Sequence, residues 1–236
     1  MISLIIPFYN CEYTAEKTIL TVKDFISEYC EPVEFIAVND GSTDSTHDIL
    51  KRFAGGSVRL VSYEKNKGKG GAIKEGVFAA SGEKIIFTDA DLAYGLSPVE
   101  AFSKALDTAD IAVGTRRSDR EILKSYGFIR NLSSNIFSMI CELYLGIGID
   151  DTQCGIKGYR AEAAKKLFSA LTINGFGFDL EILTEARLHN MKIAQIPVKL
   201  LNNEKNSNVS IIADGLEMLK ELGYIRKKIK KERNMK

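Results

Sequence analysis

Asp89 and Asp91 stand two residues apart at the end of the apolar run Lys84-Ile85-Ile86-Phe87-Thr88-Asp89-Ala90-Asp91. The run reads as a buried strand, so both acids fall where the chain leaves a sheet. Ligands of open α/β sheets bind just beyond the carboxyl ends of the strands. Carboxylates there suit a hard divalent cation, which is commonly held by one or two carboxylates together with substrate phosphates. Alone, Asp-x-Asp also fits a solvated turn. Its place after a strand, and the motifs around it, favour the cation.

Several other segments could do chemistry. Asp40 ends a second apolar run, in Val38-Asn39-Asp40-Gly41-Ser42-Thr43-Asp44. A short acid there could accept a hydrogen bond from a nucleobase or a ribose. Helix capping accounts for Asp44, but Asp40 precedes the turn. Asn66-Lys67-Gly68-Lys69-Gly70-Gly71 leads into a helical pattern. Glycines at a helix N-terminus offer N–H groups to an anion, although the spacing is not that of a P-loop and a surface turn fits nearly as well. Gly114-Thr115-Arg116-Arg117 follows another strand, and arginine matches phosphate oxygens two at a time. Arg130 and Ser134 share a helix face, which fits a second phosphate or a solvated stripe. Asp150 and Asp151 open Thr152-Gln153-Cys154-Gly155 and either face a cleft or cap a turn. Cys154 has no histidine partner in view and reads as a packed thiol. Asp179 and Glu181 fall in a first helical turn, where acids are favourable.

The elements that must position these residues alternate. Strand signals at 3–6, 33–38, 58–63, 85–88 and 111–115 are separated by helical spacing at 12–29, 43–53, 70–80 and 98–106. This predicts an α/β domain with a mostly parallel sheet covered on both faces. A long apolar-rich helical region follows at 119–145, then helices near 161–170 and 178–190, a strand at 192–200, and a final helix from about Val209. No repeat or interdomain linker interrupts the pattern, which predicts one domain.

Net charge is +1 over 236 residues, but residues 226–236 hold seven bases against Glu232. Subtracting that +6 leaves −5 for the rest. A basic block suits an anionic membrane surface, at about 1 kcal/mol per base, or a solvated helix end. No base-reading motif accompanies it, so nucleic acid is not an expected partner. The apolar stretch Ile122 to Ile149 is broken by polar residues and falls short of a bilayer span. Four cysteines without pairing motifs, and no secretory leader, predict a cytoplasmic protein. His47 and His189 lie far apart with no ligand spacing, which argues against a histidine-based zinc site or triad.

Taken in order, Ile5-Ile6-Pro7-Phe8-Tyr9-Asn10, Asn39-Asp40-Gly41-Ser42-Thr43-Asp44 and Asp89-Ala90-Asp91 resemble the family 2 inverting glycosyltransferases. Asn66 to Gly70, Gly114-Thr115-Arg116, Asp151 to Gly155 and Gly177-Phe178-Asp179-Leu180-Glu181 narrow the likeness to the polyprenyl-phosphate (dolichyl-phosphate) hexosyltransferase branch, closer to its glucosyl than its mannosyl members. The resemblance implies a GT-A, Rossmann-like single domain over residues 1–225 and a basic tail at 226–236. It implies transfer of a hexose, glucose before mannose, from a nucleotide diphosphate sugar to a polyprenyl phosphate. UDP-glucose is the favoured donor, with GDP-mannose the alternative, Mg²⁺ or Mn²⁺ the cofactor, and the cytoplasmic membrane face the place.

By position, the resemblance assigns Pro7, Tyr9, Glu12, Asp40, Lys69 and Ala90 to the nucleotide sugar. It assigns Asp89 and Asp91 to the metal, and Arg116 to phosphate. Arg117, Arg130 and Ser134 would receive the lipid phosphate. The catalytic residues would be Asp91, Arg116 and Asp151, with Asp151 the candidate base if the acceptor were a glycan or glycolipid hydroxyl. A silent nucleotide-sugar-binding module is the non-enzymatic alternative. The chain departs from the mannosyl pattern at Ala93, where glutamine is expected, and at Asn202 and Asn208, where bases are expected. With no tryptophan, it also lacks the Gln-x-x-Arg-Trp of processive synthases.

Overall fold

The computed structural model describes residues 1–116, 146, 148–175, 177–201 and 221–228. Arg117, Arg130, Ser134, Asn202 and Asn208, and the helix expected at 119–145, lie outside the described residues.

Seven strands form one sheet: β1 (Ile2–Phe8), β2 (Val33–Asp40), β3 (Val58–Tyr63), β4 (Lys84–Phe87), β5 (Ile111–Thr115), β6 (Lys157–Arg160) and β7 (Ile193–Pro197). Their spatial order is β3-β2-β1-β4-β6-β5-β7. β1, β2, β3 and β4 run parallel, and β7 runs parallel to β5. β6 is antiparallel to both of its neighbours, β4 and β5. The helices are α1 (Ala15–Glu28), α2 (Thr46–Phe53), α3 (Gly68–Ala79), α4 (Pro98–Ala105), α5 (Ala161–Ala170) and α6 (Phe178–Leu188). Residues 221–228 are also helical.

The central strands are apolar on both sides because both faces are covered. Ile5, Val38, Ile85, Phe87, Val113 and Tyr159 face α3, α5 and α6 in one layer. Leu4, Ile6, Phe8, Phe35, Ile86 and Ala112 pack with α1, α2 and α4 in the other. The period-two alternation of each strand sorts these sets.

Two strand expectations change. β1 does not stop at Pro7 but continues to Phe8. Its pairing with β4 ends at Ile5, and beyond that it pairs with β2 alone. Proline, which lacks an N–H, is tolerated where a strand loses a neighbour. β6 carries no strand signal in sequence: it is Lys-Gly-Tyr-Arg, and Lys157 is wholly buried.

The C-terminal boundary also shifts. Leu222 and Ile225 are buried in the α3/α5/α6 layer. Lys228, counted in sequence with the basic tail, lies 2.8 Å from both Glu181 and Glu185 of α6. Its Nζ also donates to the Ala170 carbonyl at 3.2 Å. Glu181 further accepts from the Thr172 hydroxyl and from the backbone N–H groups of Thr172 and Ile173. Lys228 is therefore built into the folded domain.

Burial pushes the Glu181 carboxyl up, but Lys228 and the Thr172–Ile173 donors outweigh it and hold it below its ordinary 4.5. Stability from this group is present above pH 4.5 and is lost as pH falls through the depressed folded value. Lys228→Met is expected to lower unfolding stability by about 2 kcal/mol at neutral pH. The acid-side loss should then begin at higher pH, which urea titrations from pH 3 to 8 measure.

Candidate active site

Strand order reverses between β1 and β4, the place where an open sheet leaves a crevice at its carboxyl edge. Tyr9 follows β1 there, Asp40 ends β2, Asp89 and Asp91 follow β4, and Arg116 follows β5. Because β6 runs backwards, the segment that precedes it, Asp151 to Ile156, enters at this same edge. The N-termini of α3 and α6 also point to it. The fold thus gathers Tyr9, Asp40, Lys69, Asp89, Asp91, Arg116 and Asp151 along one rim.

Asp40 is 3% exposed. Its Oδ1 accepts from the Tyr63 hydroxyl and the Lys67 N–H, both at 2.7 Å, and its Oδ2 accepts from Asn66 Nδ2 at 2.9 Å. Burial pushes its carboxyl up, and these donors pull back. Asp40 therefore organises the Asn66–Lys67 turn that leads into α3. Gly41 makes the approach feasible: its φ is +64°, and a Cβ would sit 2.5 Å from Asn66 N. Tyr9 is about half exposed and free to present its ring. Glu12 accepts from the Ser45 N–H at 3.3 Å, and Asp44 from the Glu12 and Thr46 N–H groups. These bonds tie the β1–α1 loop to the start of α2. Pro7 is half-buried near the end of β1.

Asp89 lies between two elements. Its Oδ1 is 2.6 Å from Lys69 Nζ on α3. Its Oδ2 rests against Gly155, where a Cβ would collide with it. Asp91 is exposed as a residue, and its Oδ1 accepts the Ala93 N–H at 3.0 Å. Partial burial of the carboxyl, and then repulsion by Asp89, push Asp91 up. The Ala90 carbonyl accepts the Thr18 hydroxyl of α1 at 2.7 Å, which fixes the turn between the acids. Two neighbouring carboxylates that repel each other are a donor set suited to a hard cation, so these residues fit Mg²⁺ or Mn²⁺.

Arg116 and Asp151 form a two-point pair, Nε to Oδ2 at 2.6 Å and Nη2 to Oδ1 at 2.8 Å. The Arg116 N–H adds a third contact at 3.2 Å. Burial pushes Asp151 up, but the hydrogen bonds and charge of Arg116 prevail and hold it below the ordinary carboxylate value. Cys154 is wholly buried beside this pair, and burial pushes its thiol up. It is a packing group, as the sequence suggests.

Sequence reasoning missed Lys157 and underread Asp179. Lys157 Nζ, with no exposed surface, lies 2.9 Å from Asp179 Oδ1 and donates to the Cys154 carbonyl at 2.7 Å. It also sits 5.7 Å from the Phe87 ring centroid. Asp179 is no solvated first-turn acid: it is buried, and burial pushes its carboxyl up while Lys157 and Lys69 pull it down.

The family model described as glycosyl transferase family 2 matches residues 3–168. Human dolichyl-phosphate β-glucosyltransferase is 32% identical over 95% of this chain and 74% of its own length. The enzyme of that name from Saccharomyces cerevisiae is 29% identical over the same shares. Among solved structures, glucosyl-3-phosphoglycerate synthase from Mycobacterium tuberculosis, in complex with UDP, superposes with a TM-score of 0.68. It is 20% identical and covers 96% of this chain and 80% of that one.

A doubly wound sheet with acids and bases along its switch-point rim is a GT-A glycosyltransferase fold. The chain belongs to glycosyl transferase family 2.

Gly155→Ala is expected to push the Asp89 carboxylate off its seat while leaving the backbone acceptable to alanine. The sugar-transfer kcat/KM should fall by about tenfold or more, equivalent to ~1.4 kcal/mol. A near-parental circular dichroism spectrum would confirm that the fold survives. Parental activity would show that the seat of Asp89 is irrelevant.

Proposed function

We propose that the protein transfers glucose from UDP-glucose to a polyprenyl phosphate with inversion at the anomeric carbon. The observation that carries this reading is the closed Arg116–Asp151 pair. A hydroxyl acceptor needs a base to take its proton, and Asp151 was the residue placed for that task. Its two oxygens are committed to Arg116, and its carboxyl is held low. A phosphate monoester needs no such base, because its second pKa is about 6. The family likeness and the names of the relatives point the same way.

The donor fits the rim. Tyr9 offers a ring for the base. Asp40, a short acid at the end of β2, is proposed to accept an N–H of the base. The solved relative was crystallised with UDP, and another complex of it carries Mn²⁺ and UDP-glucose.

In the reaction, an acceptor phosphate oxygen attacks C1 opposite the nucleotide. The C1–O bond to the diphosphate breaks as the new bond forms. Lys69 and Arg116 supply positive charge where the departing diphosphate gains negative charge. Asp89 and Asp91 would hold Mg²⁺ or Mn²⁺, which adds Lewis-acid neutralisation of the leaving group. Arg117, Arg130 and Ser134 are proposed for the acceptor phosphate. A lipid acceptor calls for contact with a membrane surface, and the bases after Lys228 suit an anionic one. Among the described residues, no helix is long and apolar enough to cross a membrane.

Incubating the protein with labelled UDP-glucose or GDP-mannose and polyprenyl phosphate decides the matter. The expected product is an acid-labile glucosyl phosphate lipid, from UDP-glucose and in the presence of Mn²⁺ or Mg²⁺. A glycoside formed on a hydroxyl acceptor instead would refute the reading. Asp91→Ala should reduce transfer by about 100-fold, in the range found when a charge-stabilising group is removed. For the membrane, co-sedimentation with anionic vesicles is expected to weaken when the chain is cut after Lys228, and equal binding would discard the tail.

A further inference from the structure

Lys69 Nζ, 2.6 Å from Asp89 Oδ1, puts a cation on an oxygen that a divalent ion would need. The contact is held from both sides. Lys69 sits in the first turn of α3, where the Gly70 N–H donates to the Asn174 carbonyl at 2.8 Å. Asp89 is backed by Gly155. Yet the Lys69 side chain keeps 20% of its surface and Asp89 keeps 35%, so the pair stands at the mouth of the crevice. Two cations cannot share one carboxylate oxygen at that separation without strong repulsion. Lysine carries its charge on a flexible four-carbon stem, so the ammonium can move without the backbone.

We propose that Lys69 is a resident counter-ion that changes partners. It rests on Asp89 in the free protein and crosses to the incoming diphosphate as a divalent cation takes its place on Asp89. This rests on the metal and donor reading given above. The exchange makes metal and nucleotide depend on each other. A metal alone must break a short ion pair. A diphosphate alone that draws Lys69 to itself leaves Asp89 and Asp91 facing it with no divalent cation between. Arriving together, each relieves the other. Asp179, buried and paired to Lys157, also acts on the Lys69 charge. No covalent step is involved, only an exchange of ionic partners.

Electron paramagnetic resonance of Mn²⁺, titrated into the full chain with and without UDP, tests the exchange directly. Without UDP, Lys69→Met should bind Mn²⁺ about tenfold tighter than the parent, within the ordinary 5- to 150-fold range of site coupling. UDP should tighten Mn²⁺ binding strongly in the parent and much less in Lys69→Met. Lys69→Gln, a second neutral variant, should follow Lys69→Met, while Lys69→Arg should keep the weak Mn²⁺ binding of the parent. Mn²⁺ affinity that is unchanged or weaker in both neutral variants overturns the proposal. So does a UDP effect of equal size in parent and variants, which would mean that Lys69 only adds a background field. Absence of Mn²⁺ binding in every protein, even with UDP, overturns the metal reading itself and the exchange with it.

Discussion

Charge of alternating sign runs inward from the rim of the sheet: Asp91 and Asp89, then Lys69, then Asp179, then Lys157. The inner members, Asp179 and Lys157, are buried and depend on each other. Lys157 has no exposed surface, and an isolated ammonium there would carry a desolvation penalty of several kcal/mol. Asp179, the Cys154 carbonyl and the Phe87 ring offset it. Asp179 in turn leaves negative charge beside α3, where Lys69 stands.

This arrangement explains why an antiparallel strand sits inside a mostly parallel sheet. β6 carries Lys157 into the core and, by running backwards, brings Asp151 to Gly155 to the carboxyl edge. A parallel strand in that slot would deliver the segment to the opposite edge. The same reversal lays Gly155 against Asp89 and sets Asp151 across from Arg116. One topological feature therefore supplies the wall of the acidic site and the partner of its arginine.

In the proposed reaction, the Arg116–Asp151 pair favours an acceptor that needs no base. Free, Asp151 would be a serviceable base; locked to a guanidinium, it is a weak one. Arg116 gains orientation from the same contact, since a planar fork held at two points keeps a fixed direction. Orientation of a charge matters more for a departing diphosphate than proton transfer does for an acceptor that is already an anion.

The alternation of apolar runs and helical spacing by itself determined the α/β class, because period two and period 3.6 are written directly in residue order. The short acids and arginine after those runs were equally legible, since chemistry at a strand's end is a matter of residue type and position. Tertiary structure alone decided the partners. β6 was hidden because a four-residue segment with a buried lysine gives no apolar signal. Asp179 reads in sequence as a favourable first-turn acid, because nothing local tells that α6 is buried through its first nine residues. Lys228 read as tail, because its partners lie more than forty residues away in the chain. Ion pairs across such separations are fixed by which elements pack together, and residue order does not record that.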